Sequence, residues 1–263
     1  MKIGVFDSGL GGLTVVQAML GIIRDVDIFY VADTFNAPYG EKTSKEILDY
    51  SLKITNYLIA QYQIEALVVA CNTATSASIK QLRKKYPKLV IIGTEPAVKS
   101  ALELTKTSNI GVLATPATLS GDKYQLLLDN LVSGREIELY EQACAGLVEH
   151  IENDTLKSEE SLRLLEKWLK PMREAKVDSI VLGCTHYPLA RDVIEDIMDN
   201  GVKCIDSGHA ISKHLLNRLK GQGHENEGEL RLHLFHTGEI NQTLIQKLFP
   251  DVCSEYIGKI EKI

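Results

Sequence analysis

Val68-Val69-Ala70-Cys71-Asn72-Thr73 and Val181-Leu182-Gly183-Cys184-Thr185-His186 share one design: a short apolar run that ends at a cysteine and passes into small polar residues. The two cysteines lie 113 residues apart. Runs this short and this rich in β-branched residues read as buried strands, not helices. A second echo precedes each of them, because Ile3-Gly4-Val5-Phe6-Asp7-Ser8 resembles Ile110-Gly111-Val112-Leu113-Ala114-Thr115 at an offset of 107. Matching order and spacing predict two similar lobes.

Outward from these four segments, short apolar runs alternate with amphipathic ones along the chain. Ile28 to Ala32, Leu89 to Ile92 and Val202 to Ile205 are further strand candidates. Between them Ile47, Tyr50, Ile54, Tyr57 and Leu58 recur near a 3.6-residue period behind a cap at Thr43 or Ser44. That alternation predicts an α/β fold: two lobes, each a mostly parallel sheet flanked by helices, with the active site between them. The turn-rich stretches Thr94-Glu95-Pro96 and Asp206-Ser207-Gly208 are candidate crossings. The expected division is residues 1–96 plus 208–263 for the first lobe and 97–207 for the second.

Composition narrows the function classes. The 263 residues carry 29 basic and 35 acidic side chains, a formal charge of −6, without the basic stripe that tracks phosphates, so no nucleic-acid partner is expected. A strand pattern starts at Lys2, leaving no room for a signal peptide, and no apolar run approaches the roughly 20 residues of a membrane span. The expectation is a cytoplasmic protein with no membrane partner. The five cysteines, Cys71, Cys144, Cys184, Cys204 and Cys253, are odd in number and form no CxxC pair, which argues against a disulfide framework or a zinc ribbon.

Open parallel sheets bind ligands at the carboxyl ends of their strands, where loops and helix N-termini expose N–H groups. Cys71 falls there, and a thiol at a helix N-terminus is favoured as the thiolate; the competing reading is a small packed hydrophobe. Cys184 repeats the pattern, with Pro188 placed for the first turn of a following helix and His186 able to stabilise a thiolate or relay its proton. A metal at Cys71, Cys184 and His186 would need a further ligand, and the other histidines show no such spacing, so no metal is expected. Asp7-Ser8-Gly9-Leu10-Gly11-Gly12 follows the first strand but matches neither a P-loop nor G-x-G-x-x-G, so no nucleotide cofactor is implied. An acid and a hydroxyl at its entrance suit an ammonium and a carboxylate. Thr115 and Thr118 open a helix as caps. Asp33 to Gly40 reads as a turn, and Glu149 and Glu152 as ordinary solvated helix residues.

Two strand-end thiols suit the removal of an α-proton from one face of an amino acid and its return to the other. Gly4-Val5-Phe6-Asp7-Ser8-Gly9, Pro38-Tyr39-Gly40, Ala70-Cys71-Asn72-Thr73-Ala74-Thr75 and Gly183-Cys184-Thr185-His186-Tyr187-Pro188 together resemble the glutamate racemases of the aspartate/glutamate racemase family over essentially the whole chain. The resemblance implies Cys71 and Cys184 as the two proton donors and acceptors, with Asp7 assisting Cys71 and His186 assisting Cys184. It makes Asp7, Ser8, Tyr39, Gly40, Asn72, Thr73, Thr115, Thr118, Glu149, Thr185 and His186 substrate-contacting, with Glu149 near His186. It further implies glutamate as the small-molecule substrate, no cofactor, a supply of D-glutamate for peptidoglycan, and a C-terminal segment returning to the first lobe. Where many family members carry an apolar-Pro-apolar-Glu-Glu segment, this chain has Ala143-Cys144-Ala145-Gly146-Leu147-Val148-Glu149-His150. Three alternatives stay open: an aspartate or broad-specificity racemase, a cysteine hydrolase using Cys184 and His186, and a two-lobed amino-acid sensor. Oligomeric state is not legible, a homodimer being one option.

Overall fold

The computed structural model describes residues 1–132, 134–199 and 201–249, and the backbone of 257–259; Cys253 lies outside the described residues. The chain divides into two compact units, one of Met1–Thr94 with Gly208–Ile263 and one of Glu95–Ser207.

The first unit holds strands β1 (Lys2–Asp7), β2 (Val26–Ala32), β3 (Ala66–Val69) and β4 (Val90–Gly93), and helices α1 (Leu13–Leu20), α2 (Ser44–Tyr62) and α3 (Asn72–Lys85). The second holds α4 (Val98–Leu104), β5 (Asn109–Ala114), α5 (Pro116–Leu119), α6 (Asp122–Leu131), β6 (Glu138–Ala143), α7 (Leu147–Glu152), α8 (Glu159–Glu174), β7 (Ser179–Gly183), α9 (Arg191–Ile197) and β8 (Lys203–Ile205). Beyond Gly208 the chain adds α10 (Gly208–Lys220), β9 (Leu230–His236), α11 (Gln242–Leu248) and β10 (Ile257–Lys259) to the first unit.

Among the described residues one sheet runs β10-β9-β2-β1-β3-β4 and the other β6-β5-β7-β8, and every pairing is parallel. The internal echo is a structural repeat. Ile3 pairs with Ala66 in the first sheet and Ile110 with Ser179 in the second, so the offsets of 107 and 113 reappear in the register itself. Parallel pairing of β1 with β3, and of β5 with β7, brings the residues after both strands to one edge of the sheet.

Each central strand is buried on both faces, as its uninterrupted apolar run requires. In the second unit Leu113, Ile180 and Leu182 pack with Ile151, Leu165, Leu169 and Ile194, while Ile110, Val112 and Val181 pack with Val98, Ala101 and Tyr124 on the other face. In the first unit Phe6, Leu67 and Val69 pack against Ile47, Ile54 and Leu58 of α2 and Ile79 and Leu82 of α3. Thr43 caps α2 in a capping box: its Oγ1 accepts the Glu46 N–H at 3.3 Å, and its own N–H donates to Glu46 Oε2 at 2.9 Å.

Three strands have no counterpart among the expected runs: β6, β9 and β10. β6 is an edge strand whose residues Glu138-Leu139-Tyr140-Glu141-Gln142-Ala143 are half-buried or exposed, and β9 alternates as Leu230-Arg231-Leu232-His233-Leu234-Phe235-His236. Strands that keep one side toward solvent do not show the continuous apolar run used to find the others.

In the central pair of the second sheet, β7 lies close against the backbone of β5 at Gly183. A Cβ there would stand 2.9 Å from both the Leu113 carbonyl oxygen and Ala114 Cβ. Gly183→Ala is expected to cost about 1–3 kcal/mol of stability, as overpacking against backbone does. Chemical denaturation would test this; an unchanged midpoint would mean that the strands separate freely.

Candidate active site

In the first unit Cys71 is the N-cap of α3, with an extended backbone and its Sγ accepting the Ala74 N–H at 3.4 Å. An N–H aimed at sulfur from the positive end of a 14-residue helix favours negative charge there. The thiol is buried and lies 3.9 Å from Ser8 Oγ. Helix α3 is pinned in place by Thr75, whose hydroxyl donates to the Val69 carbonyl at 3.1 Å and accepts the Thr94 N–H at 3.0 Å.

Asp7, the last residue of β1, is fully buried, and its Oδ2 accepts the Gly9 N–H at 3.0 Å. Tyr30 holds the same loop by donating to the Gly9 carbonyl at 2.7 Å. Beside it, the buried Asp33 accepts from Tyr39 Oη at 2.6 Å, Thr237 Oγ1 at 2.7 Å and Asn36 Nδ2 at 3.0 Å. Burial, then Asp33, then Cys71 and Asp7 push the Tyr39 hydroxyl well above its ordinary pKa, so it remains a donor. Thr73 is buried on the first turn of α3, and Gly40 is half-buried beside Tyr39. Asn72, on the same turn, has its Oδ1 buried with no hydrogen-bond partner among the described residues. An unanswered buried acceptor costs roughly 1–3 kcal/mol, and a ligand N–H would remove that cost.

In the second unit Thr115 caps α5, its Oγ1 accepting the Thr118 N–H at 3.2 Å and lying 2.9 Å from Thr118 Oγ1. Thr118 and Thr185 are buried. Cys184 differs from Cys71 and from the helix N-terminus expected of it. Thr185 and His186 form a turn, and Tyr187–Ala190 form a 3-10 helix with Pro188 in its first turn, so no α-helix is capped by this sulfur. Its partner is His186, whose Nδ1 stands 3.9 Å from Sγ.

The carboxylate that meets His186 is Glu152, 2.7 Å from Nε2, and not Glu149. Glu149 lies in the first turn of α7 and is exposed; Glu152, one turn later at the end of the helix, is half-buried and carried inward to the ring. Glu152 therefore is not an ordinary solvated residue. Burial of the His186 ring opposes its charge, but the contacts with Cys184 and Glu152 outweigh burial and raise its pKa well above the usual value. The shift favours the imidazolium form next to the sulfur that would carry negative charge.

The sheet ends thus gather Asp7, Ser8, Tyr39, Gly40, Asn72 and Thr73 around Cys71 in one unit, and Thr115, Thr118, Thr185 and His186 around Cys184 in the other. Two residues missing from the sequence-based set are Asp33 and Glu152. Asp33 follows β2 and donates its N–H to the Asp7 carbonyl at 2.9 Å, so the strand-end rule applied to β2 would have found it. Among the described residues no group of three or more His, Cys, Asp or Glu side chains is placed to hold a metal ion, and no helix is long and apolar enough to cross a membrane.

A family model described as Asp/Glu/Hydantoin racemase matches residues 3–215. A glutamate racemase of Sulfurovum sp. (strain NBC37-1) is 56% identical over 98% of this chain and 98% of its own length. Among solved structures, a glutamate racemase isoform of Bacillus anthracis superposes with a TM-score of 0.85 at 27% identity, covering 98% of this chain and 96% of that one. The glutamate racemase of Francisella tularensis subsp. tularensis SCHU S4, solved with D-glutamate, gives 0.84 at 26% identity, over 99% and 97% of the two chains.

Because Glu152 acts directly on His186, Glu152→Gln should lower the His186 pKa, and Glu149→Gln should leave it in place. NMR titration of the labelled imidazole reads this without substrate. The sign carries into stability: a raised folded pKa contributes stability fully present below the ordinary histidine value of about 6.5 and lost as pH rises through the folded value. The stability gap between the wild type and Glu152→Gln should therefore close on the alkaline side. An equal shift in both variants would remove the assignment to Glu152.

Proposed function

This chain belongs to the Asp/Glu/Hydantoin racemase family, and from that premise we propose that it interconverts L- and D-glutamate with Cys71 and Cys184 as the two proton-transfer groups. Two features support the reading. Matched strand ends supply one thiol per unit, each beside its own polar partners, and the relative with 56% identity is named a glutamate racemase.

Racemisation breaks the Cα–H bond on one face of the substrate and forms a new one on the other, so one thiolate and one thiol must act on the same carbon. In one direction the Cys184 thiolate takes the α-proton while the Cys71 thiol delivers its own proton; in the reverse direction the roles exchange. Proton number is conserved, and each turnover leaves the two sulfurs with swapped protonation. The His186 imidazolium stabilises the thiolate at Cys184, and the Ala74 N–H stabilises it at Cys71. Asp7 assists at Cys71. The carbanion-like transition state is stabilised by preorganised donors, each worth about 3 kcal/mol in other enzymes. No cofactor takes part in this scheme.

The substrate ammonium answers Asn72 Oδ1 and the Asp7 carboxylate, and the hydroxyls of Ser8, Thr73, Thr115, Thr118 and Thr185 and the Tyr39 phenol receive its carboxylates. Glu149 belongs to the same proposed contact set. D-glutamate made this way in the cytoplasm serves peptidoglycan synthesis.

Solvent deuterium should enter Cα starting from either enantiomer of glutamate. Cys71→Ser and Cys184→Ser should each lower racemisation by at least about a hundredfold while the protein stays folded. Full racemisation by Cys71→Ala would overturn the two-thiol mechanism, and comparable turnover of L-aspartate would overturn the choice of glutamate.

A further inference from the structure

Tyr187 is fully buried, follows His186 directly, and has no part in the proton transfers above. Its hydroxyl donates to the Cys144 carbonyl at 3.2 Å. That carbonyl sits where β6 ends: the Cys144 N–H continues the strand ladder to the Ala114 carbonyl at 2.9 Å, and the chain then turns through Gly146 into α7. Gly146 is the N-cap of α7 with a φ of +85°, a conformation other residues adopt only under strain. Six residues later the same helix ends at Glu152, on His186 Nε2.

One O–H···O=C bond therefore ties the root of the segment bearing Glu152 to the residue next to His186. The Leu147 N–H also donates to the Cys144 carbonyl, but at a long 3.4 Å. Among the described residues β6 is the edge of its sheet, paired only with β5, so its end has fewer restraints than those of β5 and β7. The 3-10 helix that begins at Tyr187 packs on α7, and burial, reinforced by Cys184, Cys144 and Glu149, keeps the tyrosine protonated and able to donate.

We propose that Tyr187 is a positioning residue for the acid/base group at Cys184: by holding the Cys144 carbonyl it sets where α7 begins, and so holds Glu152 against His186. The effect on activity rests on the two-thiol reading above, whereas the effect on His186 does not. Cys184 and Glu152 act on His186 directly, and Cys144 and Glu149 face Tyr187.

The test is Tyr187→Phe, which removes the hydroxyl and keeps the ring. Titration of the labelled His186 imidazole in the full-length protein without substrate should move downward, in the direction of Glu152→Gln. With glutamate, kcat should fall about tenfold, the worth of one lost hydrogen bond, with KM changed less than about twofold. The double variant Tyr187→Phe/Glu152→Gln should be no slower than Glu152→Gln alone, because both act through one contact. If Tyr187→Phe does not fold, Gly146→Ala strains the same turn and must shift His186 in the same direction. A His186 titration unmoved in the folded variant, or losses that multiply in the double variant, would overturn the proposal. If no glutamate turnover is found at all, the imidazole titration still decides it.

Discussion

Parallel pairing of two central strands is the constraint from which the rest of each unit follows. β1 beside β3, and β5 beside β7, run in the same direction in the same register, so whatever follows one strand stands next to whatever follows the other. Asp7 and Ser8 are brought to Cys71 in this way, and Thr115 to Cys184. Neither neighbourhood needs a long loop to assemble it. The tight fit that Gly183 permits against the Leu113 carbonyl is a condition of the same pairing.

The two sulfurs occupy equivalent positions in the repeat yet are served by different physics. Cys71 caps a 14-residue α-helix, so its anionic form is supported by fixed backbone N–H groups whose charge does not vary with pH. After Cys184 the chain makes a turn and a 3-10 helix, where backbone dipoles are not aligned over several turns, and the support comes from an imidazole backed by a carboxylate that favours its protonated form. Of the two kinds of support, the one that varies with pH is accordingly in the second unit.

Legibility in the sequence follows burial. The central strands, the Thr43 cap and the strand-end location of Cys71, Cys184 and Asp7 can be read directly, because a strand buried on both faces must be apolar throughout and the polar residue that ends it stands out. β6 and β9 lack that signature, since one side of each meets solvent or an exposed layer. The partner of His186 is misread for a related reason. Glu149 and Glu152 are both acidic residues of one short helix, and the choice between them depends on how α7 leaves β6, which Gly146 sets through its backbone. Asp33 is hidden because its worth lies in Tyr39, Asn36 and Thr237, and Thr237 arrives from more than two hundred residues away.

A division of labour follows from where these unreadable groups reside. The central strands end in residues that can exchange protons, and their positions are determined by ladders on both sides. The groups that orient or charge them come from the periphery: Glu152 through the turn after β6, and Thr237 from the turn after β9. Peripheral elements can shift without disturbing the paired core, and each is therefore tied back by a specific bond, Tyr187 to the Cys144 carbonyl in one unit and Thr237 to Asp33 in the other. The Thr34 hydroxyl, accepting the Gly238 N–H at 2.9 Å, and Thr237, accepting the Phe35 N–H at 3.0 Å, make the second tie reciprocal. A substitution far from either sulfur in sequence can thus alter the electrostatics at that sulfur while leaving the sheets intact, since the bond it removes holds a polar partner and not the core.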